Sequence, residues 1–509
     1  MIVCCFFIGF VKSRTEELGI GNDHTCNKMK ERHIIIHAIS MGKNVIQKTT
    51  IREKLVKKFS SVQLLAMSFG FVILCGSLLL SLPISNKIEI QPIINNLFVA
   101  VSAVCVTGLT PIVIVDQYTV FGQCVLILLM QIGGLGLMTF LALFITAARK
   151  KMNYAEKQLL ADATSKTDMS KVPEYVKRIA KYTLFFEMIG FVLLCIRMVP
   201  EYGPLTGMFN SLFLSISAFC NAGIDNISAA SMAAYVSDPL VSLTIMGLIV
   251  TGGLGFVVWF DLSNHLKEKR ETHYSPKTLW QHLNLHTKLV ITMTSILLIS
   301  GFLLIFVIEY NNPQSLGNLS FGSKLLAAAF QSVTLRTAGF STLNIGALHP
   351  ATLFLMCIFM LIGGSPGGTA GGIKTTTLGA FVILVHATLK QNDSPHCFKR
   401  EISQAAFLKA FVTFWLFLCA LIAALTLVGI FEGTSFSFLE IMFECFSAIG
   451  TVGLSMGITP ALSTASKIVI MVLMFIGRIG PITLVLSFVK NRRKKVSGVK
   501  YSDEDIIIG

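Results

Sequence analysis

The chain has 509 residues, of which 53% are hydrophobic and 14% are charged, and its mean hydropathy is +0.71. Soluble domains average about 25% charged residues, so this composition excludes an ordinary soluble protein and indicates an integral membrane protein. The net charge of +15 does not predict a nucleic-acid partner, because the cationic residues are concentrated in alternate connections between apolar segments.

Eight apolar segments are long enough to cross a hydrocarbon layer of about 30 Å, which takes roughly 20 residues. They are predicted near residues 63–83, 118–148, 180–199, 240–260, 289–307, 351–386, 405–430 and 468–489. Of the 42 Lys and Arg residues, 34 lie before residue 60 or within 149–181, 267–288, 390–400 and 490–500. By the positive-inside rule, both termini and the three basic loops face the cytoplasm of a multi-pass protein in the cytoplasmic (inner) membrane.

Four related signatures recur between these segments: SAVCVTGL, SAFCNAGI, SVTLRTAGF and SAIGTVGL. Their glycines, Gly108, Gly223, Gly339 and Gly453, are separated by 115, 116 and 114 residues. Such a regular period predicts internal structural repeats. A semi-apolar stretch too short to span precedes each signature, as at 92–106 and 436–449, and predicts a re-entrant half-helix.

The predicted fold is therefore all-α integral membrane, with four tandem span/pore-helix/span repeats around one central pore. It has eight transmembrane helices plus four re-entrant half-helices. The predicted parts are a basic cytoplasmic N-terminal segment (1–62), repeats 1 to 4 (63–148, 180–261, 286–390 and 405–490) and a cytoplasmic tail (491–509). Only the second span of repeat 3 is predicted to be broken.

The four glycine loops are predicted to form a selectivity filter for a cation. Non-helical backbone at membrane depth must be buried or line a watery cavity, and inward carbonyl oxygens can replace the hydration shell of an ion. The negative C-terminal ends of the half-helices point at the same place, and glycine lets four backbones approach closely. The predicted filter residues are Val106, Thr107, Gly108, Asn221, Ala222, Gly223, Thr337, Ala338, Gly339, Thr451, Val452 and Gly453.

The stretch GGSPGGTAGGIKTTT begins at Gly363, 24 residues past Gly339, and interrupts the second span of repeat 3. Its glycines and Pro366 cannot sustain a helix, and Ser365 and Thr369 are small polar groups able to face water, so a mobile gate below the filter is predicted. A rigid helix break that accommodates a neighbouring helix is the alternative. The predicted gate residues are Gly363, Gly364, Ser365, Pro366, Gly367, Gly368, Thr369, Ala370, Gly371, Gly372, Lys374 and Arg478.

Arg478 belongs to this set because it lies deep in an apolar span, at the position where the other repeats carry glycine. An intramembrane arginine is costly and normally faces the interior or a partner. For the GGLG motifs at Gly133 and Gly252, helix packing is favoured over a role in the pore. Arg336 and Glu444 are interpreted as support behind the filter in preference to ion steering, and Asp225 as an acidic group at the outer mouth.

An enzymatic function is not predicted. GGTAGGIKT is similar to a phosphate-binding loop, but Ile373 separates the last glycine from Lys374 and no strand leads into it. The cysteines lack C-x-x-C spacing, so neither a metal site nor a disulfide is inferred, and no cofactor is expected besides the transported ion. A secondary transporter with inverted repeats is a further alternative, although four repeats of one topology favour a continuous pore.

SVTLRTAGFST, GGSPGGTAGGIKTTT and FSAIGTVGLS, within residues 60–490, resemble the most characteristic motifs of the Trk/Ktr/HKT superfamily of potassium transporters. The chain is most similar to the membrane subunit of the Ktr branch, KtrB, because it lacks an extra pair of N-terminal spans. The resemblance implies four repeats in one chain, a homodimer in membrane lipid and a KtrA-like cytosolic nucleotide-binding ring as regulator. It also implies the same gate.

In the HKT branch a serine at the first filter glycine accompanies sodium transport, and this chain has Gly108 there. The expected function is therefore potassium uptake through a gated pore, with sodium as a coupling or activating ion left open. A sodium-permeable or alternating-access cation symporter is the alternative.

Overall fold

The computed structural model describes residues 61–136, 139–140, 172–272, 280–391 and 394–488. Most of the predicted N-terminal segment (1–62), most of the basic loop 149–181 and the predicted tail (491–509) lie outside the described residues. Within the described part, the chain is almost entirely helical and follows the order of four repeats.

The helices of repeats 1 and 2 are α1 (Ser61–Leu80), α2 (Ile93–Cys105), α3 (Val120–Leu135), α4 (Val172–Tyr202), α5 (Pro204–Cys220), α6 (Pro239–Gly253) and α7 (Phe256–Thr272). Those of repeats 3 and 4 are α8 (Leu285–Glu309), α9 (Phe321–Thr334), α10 (Pro350–Leu361), α11 (Thr375–Leu389), α12 (Gln404–Glu432), α13 (Phe438–Gly450), α14 (Thr464–Ile479) and α15 (Pro481–Phe488). Shorter elements are the α-turn Ile114–Gln117, the 3-10 turns Pro83–Ser85, Ala233–Tyr235, Ile345–Ala347 and Thr459–Ala461, and an antiparallel hairpin of β1 (His396–Cys397) and β2 (Arg400–Glu401).

The first helix of each repeat is long and apolar enough to cross a membrane. Four such helices occur in the described ranges: Gln63–Leu80, Pro173–Tyr202, Leu285–Glu309 and Gln404–Glu432. A fifth crossing is counted if the bent pair α6 and α7 is one span. These long helices leave large apolar side chains such as Leu74, Leu303 and Ile430 exposed, as expected of a surface in contact with lipid tails.

The second span is broken in more than repeat 3, which corrects the prediction of a single interruption. In repeat 2, α6 and α7 meet at an angle of 94°, and in repeat 4 the span is divided into α14 and α15. The two breaks have the same physical cause, because Gly255 and Gly480 have φ of 90° and 89°. Backbone in this left-handed region ends an α-helix and favours glycine.

The boundaries of repeat 2 also differ from the prediction of 180–261. Helix α4 begins at Val172 and α7 continues to Thr272. Charged residues extend α4 beyond its apolar part, since Arg178 and Glu174 form an i,i+4 ion pair of 2.9 Å. The predicted half-helices 92–106 and 436–449 are observed as α2 and α13, within two residues at each end.

The four short helices α2, α5, α9 and α13, hereafter the pore helices, pack in a closed cycle. Each contacts the second-span helix of the preceding repeat: α5 packs on α3, α9 on α6, α13 on α10, and α2 on α14. The last contact joins repeat 1 to repeat 4. The four repeats therefore surround one axis, and the C-terminal ends of the pore helices are brought together.

Candidate functional site

Three pore helices end in the same left-handed turn. Val106, Asn221 and Thr451 follow α2, α5 and α13 with φ of 56°, 58° and 52°. In each of these three repeats, the N–H group of the following residue donates to a main-chain oxygen of the helix at 2.8 Å, as from Thr107 to Ser102. This is the hydrogen bonding of a Schellman cap. A β-branched residue such as Val106 seldom adopts positive φ, so the surrounding structure must hold it there.

Repeat 3 has one additional residue in its signature and also places a residue at positive φ, but its hydrogen bonding differs. Thr337 has φ of 64°, and the N–H of Ala338 donates to Thr334 at 3.0 Å. The hydroxyl of Thr334 donates to the main-chain oxygen of Phe340 at 2.6 Å, whereas Ser332 bonds away from the loop to Leu298. Thr334 is not among the residues predicted from the sequence, where the predicted filter residues of this loop run from Thr337 to Gly339.

The four signature glycines form a closed arrangement, hereafter the glycine ring. A Cβ atom added to any of them would lie closer than 3.0 Å to the main-chain oxygen that precedes the next glycine. These pairs run in chain order and return to the start: Gly108 with Ala222, Gly223 with Ala338, Gly339 with Val452, and Gly453 with Thr107. Since all four glycines also have φ between 66° and 99°, no other residue fits without strain.

All four glycines of the glycine ring line a cavity of about 830 Å³. Among the described residues in the lining, Asp116 and Asp225 are the charged ones. Burial raises the pKa of the Asp225 carboxyl, while hydrogen bonds from Ser231 and from the N–H groups of Ile227 and Ser228 oppose that shift. The cavity is therefore a vestibule whose fixed charges are negative, where the sequence predicted the outer mouth.

Glycines of the second spans pack against the ends of the pore helices. A Cβ atom on Gly133 would collide with the main-chain oxygen of Val104, and one on Gly252 with that of Phe219. Gly477 has the same relation to Ile449. These contacts agree with the packing interpretation of the GGLG motifs, because a side chain at these positions would push the pore helix away.

The loop of residues 363–374, hereafter the repeat-3 loop, joins α10 to α11. Its ends are held together, since the N–H of Gly363 donates to Ile373 at 2.8 Å and the N–H of Ile373 donates to Leu361 at 3.2 Å. Lys374 adds a clamp from its side chain, whose Nζ donates to the main-chain oxygen of Ala370 at 2.7 Å. The two ends of the loop are thus joined by main-chain hydrogen bonds, and the Lys374 side chain holds the loop's own main chain.

On one side the repeat-3 loop is bonded to repeat 2. The N–H of Ser365 donates to Gly253 at 2.9 Å, and that of Thr369 donates to Gly252 at 3.2 Å. In the other direction, the first N–H of α7, from Phe256, donates to the oxygen of Gly367 at 3.0 Å. The break between α6 and α7 therefore provides main-chain groups that hold this loop.

On the other side the repeat-3 loop is bonded to repeat 4. The N–H of Gly372 donates to Gly477 at 3.2 Å, and the guanidinium of Arg478 donates to the oxygen of Thr369. A second guanidinium nitrogen of Arg478 donates to Gly133 and Gly134 in repeat 1. The loop lies next to a residue of the predicted filter, because its Gly371 adjoins the Thr451 side chain. Repeats 1, 2 and 4 thus all take part in holding a loop that belongs to repeat 3.

Ser365 and Thr369, small polar groups able to face water, are not exposed in this structure. Both side chains are fully buried. Ser365 and Thr375 share a hydrogen bond of 2.9 Å between their hydroxyls, and the Thr369 hydroxyl bonds to Phe219 and Asn221 at 3.1 Å. The polar partners at this depth come from the start of α11 and from the end of the pore helix α5.

Arg336 and Glu444 are both buried, in repeats 3 and 4 respectively. Glu444 is 1% exposed and accepts hydrogen bonds from Ser455 at 2.8 Å and from Thr459, so it ties α13 to the chain beyond Gly453. Arg336 is buried, and its Nε and Nη1 have no hydrogen-bond partner among the described residues. Neither Arg336 nor Glu444 is among the residues that line the vestibule, and the hydrogen bonds of Glu444 agree with its interpretation as support.

An all-helical membrane protein in which four repeats bring four glycine loops to one axis has the architecture of a membrane transport protein. The profile of the TrkH family, described as a cation transport protein, matches residues 27–497. This match covers most of the chain, and the chain belongs to the TrkH family of cation transport proteins. The resemblance inferred from the motifs is thereby confirmed, as is the prediction that the chain is not an enzyme.

Individual relatives agree with this membership. The chain is 40% identical over 470 residues to Ktr system potassium uptake protein B of Bacillus subtilis (strain 168), with 91% of this chain and 100% of that protein covered. It is 38% identical over 464 residues to potassium/sodium uptake protein NtpJ of Enterococcus hirae, with the same coverage. The crystal structure of the potassium transporter TrkH from Vibrio parahaemolyticus has a TM-score of 0.63 and 19% identity, over 83% of this chain and 85% of that one. The last comparison shows a shared fold.

Proposed function

We propose that this chain takes up potassium across the cytoplasmic membrane through a gated pore, with the glycine ring as the narrowest part of its selectivity filter. The closed cycle of glycines and main-chain oxygens carries the proposal. Carbonyl oxygens held on four sides can replace the water around a dehydrated monovalent cation, and the absence of side chains at the glycines leaves room for it. The relatives described as potassium uptake proteins support the choice of ion.

The decisive measurement is uptake of labelled potassium by cells that lack their own potassium transporters. Expression of the chain is expected to restore uptake and growth at low external potassium. The assay is run with and without external sodium, because one relative is described as a potassium/sodium uptake protein. Uptake of sodium in preference to potassium would support the alternative of a sodium-permeable or symporting protein instead.

The gate of this pore is proposed to be the repeat-3 loop together with Arg478. The loop adjoins the filter residue Thr451 and is bonded to the repeats on either side, so an ion that leaves the glycine ring meets it next. Opening requires that the loop release Gly252, Gly253 and Gly477. Removal of residues 367–371 is expected to raise potassium flux in vesicles, and a folded deletion variant with unchanged flux would identify the loop as support alone.

A homodimer and a separate cytosolic nucleotide-binding ring are further parts of the proposal. Both termini are placed in the cytoplasm, with the basic loops 149–181 and 267–288 as the docking surface for the ring. Regulation by nucleotide then requires the second protein. The purified chain in vesicles is expected to conduct potassium without responding to added nucleotide, and full nucleotide sensitivity of the chain alone would contradict a separate regulator.

A further inference from the structure

The left-handed residue after each pore helix has a different kind of side chain in repeat 2. Val106, Thr337 and Thr451 are β-branched, whereas Asn221 carries an amide with separate donor and acceptor atoms. All four are at most 1% exposed. A fully buried amide requires partners within the protein, and the partners of Asn221 belong to two different parts of the site.

The nitrogen of the amide bonds to the filter loop of repeat 3. Nδ2 of Asn221 donates to the main-chain oxygen of Arg336 at 3.2 Å and to the Thr337 hydroxyl at 3.5 Å. A main-chain oxygen can only accept, so its position fixes which end of the amide is the nitrogen. Asn221 therefore connects two adjacent loops of the glycine ring.

The oxygen of the same amide faces the repeat-3 loop. The hydroxyl of Thr369 donates to Oδ1 of Asn221 at 3.1 Å and lies at the same distance from the oxygen of Phe219. Its one hydrogen is shared between these two acceptors. The main-chain oxygen of Thr369 is also the group that Arg478 holds. A displacement of the loop that breaks the contact with Arg478 thus also removes the side-chain donor to Asn221.

The main chain connects Asn221 directly to the glycine ring. Asn221 is followed by Ala222, whose oxygen is the group that a Cβ atom on Gly108 would meet at 2.8 Å. With Thr369 in place, the amide of Asn221 is held at both ends. Without it, Oδ1 is a buried acceptor that has lost its donor, and the loop that presents the Ala222 oxygen is less fixed.

We propose that Asn221 is a positioning residue that couples the glycine ring to the repeat-3 loop through the hydroxyl of Thr369. The proposal rests on the proposed function, in which the ring binds potassium and the loop is the gate. When the repeat-3 loop is in its closed position, it holds the main-chain oxygens of the glycine ring closer together. Loss of the Thr369 hydroxyl weakens potassium binding at the ring and also removes one bond that holds the loop closed.

The test compares Thr369→Val, which removes the donor at nearly equal volume, with Thr369→Ser, which retains a hydroxyl. Potassium uptake into vesicles is measured as a function of potassium concentration. Thr369→Val is expected to raise the half-saturating concentration about three- to tenfold, as the loss of one hydrogen bond typically does, and to raise the maximal rate. Thr369→Ser restores the half-saturating concentration. Thr426→Val on α12, which loses only an exposed bond to Ile422, is the control for the exchange itself.

Asn221→Thr provides the second arm, because threonine occupies the same left-handed position in repeats 3 and 4. It is expected to raise the half-saturating concentration by a similar factor, and the double variant should be no worse than either single one. Additive effects, equal effects of Thr369→Val and Thr369→Ser, or an unchanged half-saturating concentration would overturn the coupling. If Thr369→Val does not fold, Asn221→Thr alone decides. Failure of the unaltered chain to take up potassium would instead contradict the proposed function.

Discussion

Arg478 on α14 donates hydrogen bonds to the main-chain oxygen of Thr369 in the repeat-3 loop and to Gly133 and Gly134 at the end of α3. One side chain thus connects repeats 1, 3 and 4 on the side of the filter where the loop lies. Only arginine has a rigid fork of donors that can satisfy main-chain oxygens from three residues at once. The contact is made to the loop backbone and does not depend on the identity of the loop side chain.

Replacement of Arg478 by glutamine is expected to raise potassium flux. Glutamine is shorter and has a single amide donor group, so it cannot bridge the loop to α3, and it removes a positive charge that repels the ion. We expect an increase of about tenfold in the rate of uptake into vesicles, with potassium still preferred over sodium. Arg478→Lys retains the charge without the fork and should give a smaller increase. Folded variants with unchanged or lower flux would mean that Arg478 is structural support.

Replacement of Gly108 by serine tests the glycine ring. The added Cβ atom would lie 2.8 Å from the Ala222 oxygen, and φ at this position is +99°, so the ring must widen to accept it. The preference for potassium over sodium is expected to fall about tenfold, equivalent to 1.4 kcal/mol. Competition between the two ions in labelled-potassium uptake measures it. Gly247→Ser on α6, where an added Cβ atom meets nothing within 4 Å, is the matched control, and equal selectivity of the two variants would contradict the filter assignment.

Much of this arrangement could be predicted from the sequence, for a physical reason. A ring in which four backbones meet without side chains requires glycine at a fixed place in every repeat, so the period of Gly108 and its three equivalents is visible in the sequence. The points at which the second spans are broken could not be predicted in the same way. Gly133 accommodates a neighbouring helix, whereas Gly136, three residues later, has φ of 80° and ends the helix. Both belong to one GGLG motif, and sequence does not distinguish a packing glycine from one at positive φ.

The partners of individual side chains were beyond prediction. Asn221 was assigned to the filter for its main-chain oxygen, and its amide contacts come from residues more than 100 positions away in the sequence. From the sequence, Ser365 and Thr369 are small polar groups able to face water. In the structure their hydroxyl partners are Thr375 at the start of α11 and Phe219 and Asn221 at the end of α5.

Neutralisation of Asp225 is expected to weaken potassium uptake at low potassium concentration. Asp225 and Asp116 are the charged residues among those described in the vestibule lining, and their negative charge concentrates cations near the ring. Asp225→Asn keeps the oxygen that accepts from Ile227 and Ser228, so the loop should fold. We expect a severalfold rise in the half-saturating potassium concentration at low ionic strength, and a smaller rise at high salt.

The same electrostatic effect has a predictable pH dependence. Because burial raises the pKa of the Asp225 carboxyl, its attraction for cations is present only above that raised pKa and is lost as the pH falls through it. The difference between Asp225→Asn and the unaltered chain should therefore shrink on acidification, at a higher pH than for an ordinary aspartate. A difference that is independent of both salt and pH would contradict electrostatic concentration of the ion.

Replacement of Glu309 is expected to destabilise the fold without a direct effect on the filter. Its carboxylate is fully buried at the end of α8 and accepts hydrogen bonds from the N–H of His349, just before α10, and from Ser315 at 2.9 and 2.6 Å. Thr352 and Asn312 also donate to it. Glu432 holds the N–H of Ser463 at 2.9 Å in the same way, at the start of α14. In repeats 3 and 4, these glutamates thus connect the end of the first span to the start of the second span.

Glu309→Ala leaves four donors without their acceptor. Each unsatisfied buried group costs roughly 1–3 kcal/mol, and the losses are not additive. The free energy of unfolding should therefore fall by about 2–4 kcal/mol. Glu309→Gln keeps one acceptor oxygen and should lose less. Thermal unfolding in detergent micelles provides the comparison, with Gly247→Ser as a control that leaves this cluster intact. The order of midpoint temperatures is expected to be unaltered chain, then Gln, then Ala. An alanine variant as stable as the unaltered chain would show that the N-terminus of α10, and with it the span that carries the repeat-3 loop, is positioned by packing and not by this carboxylate.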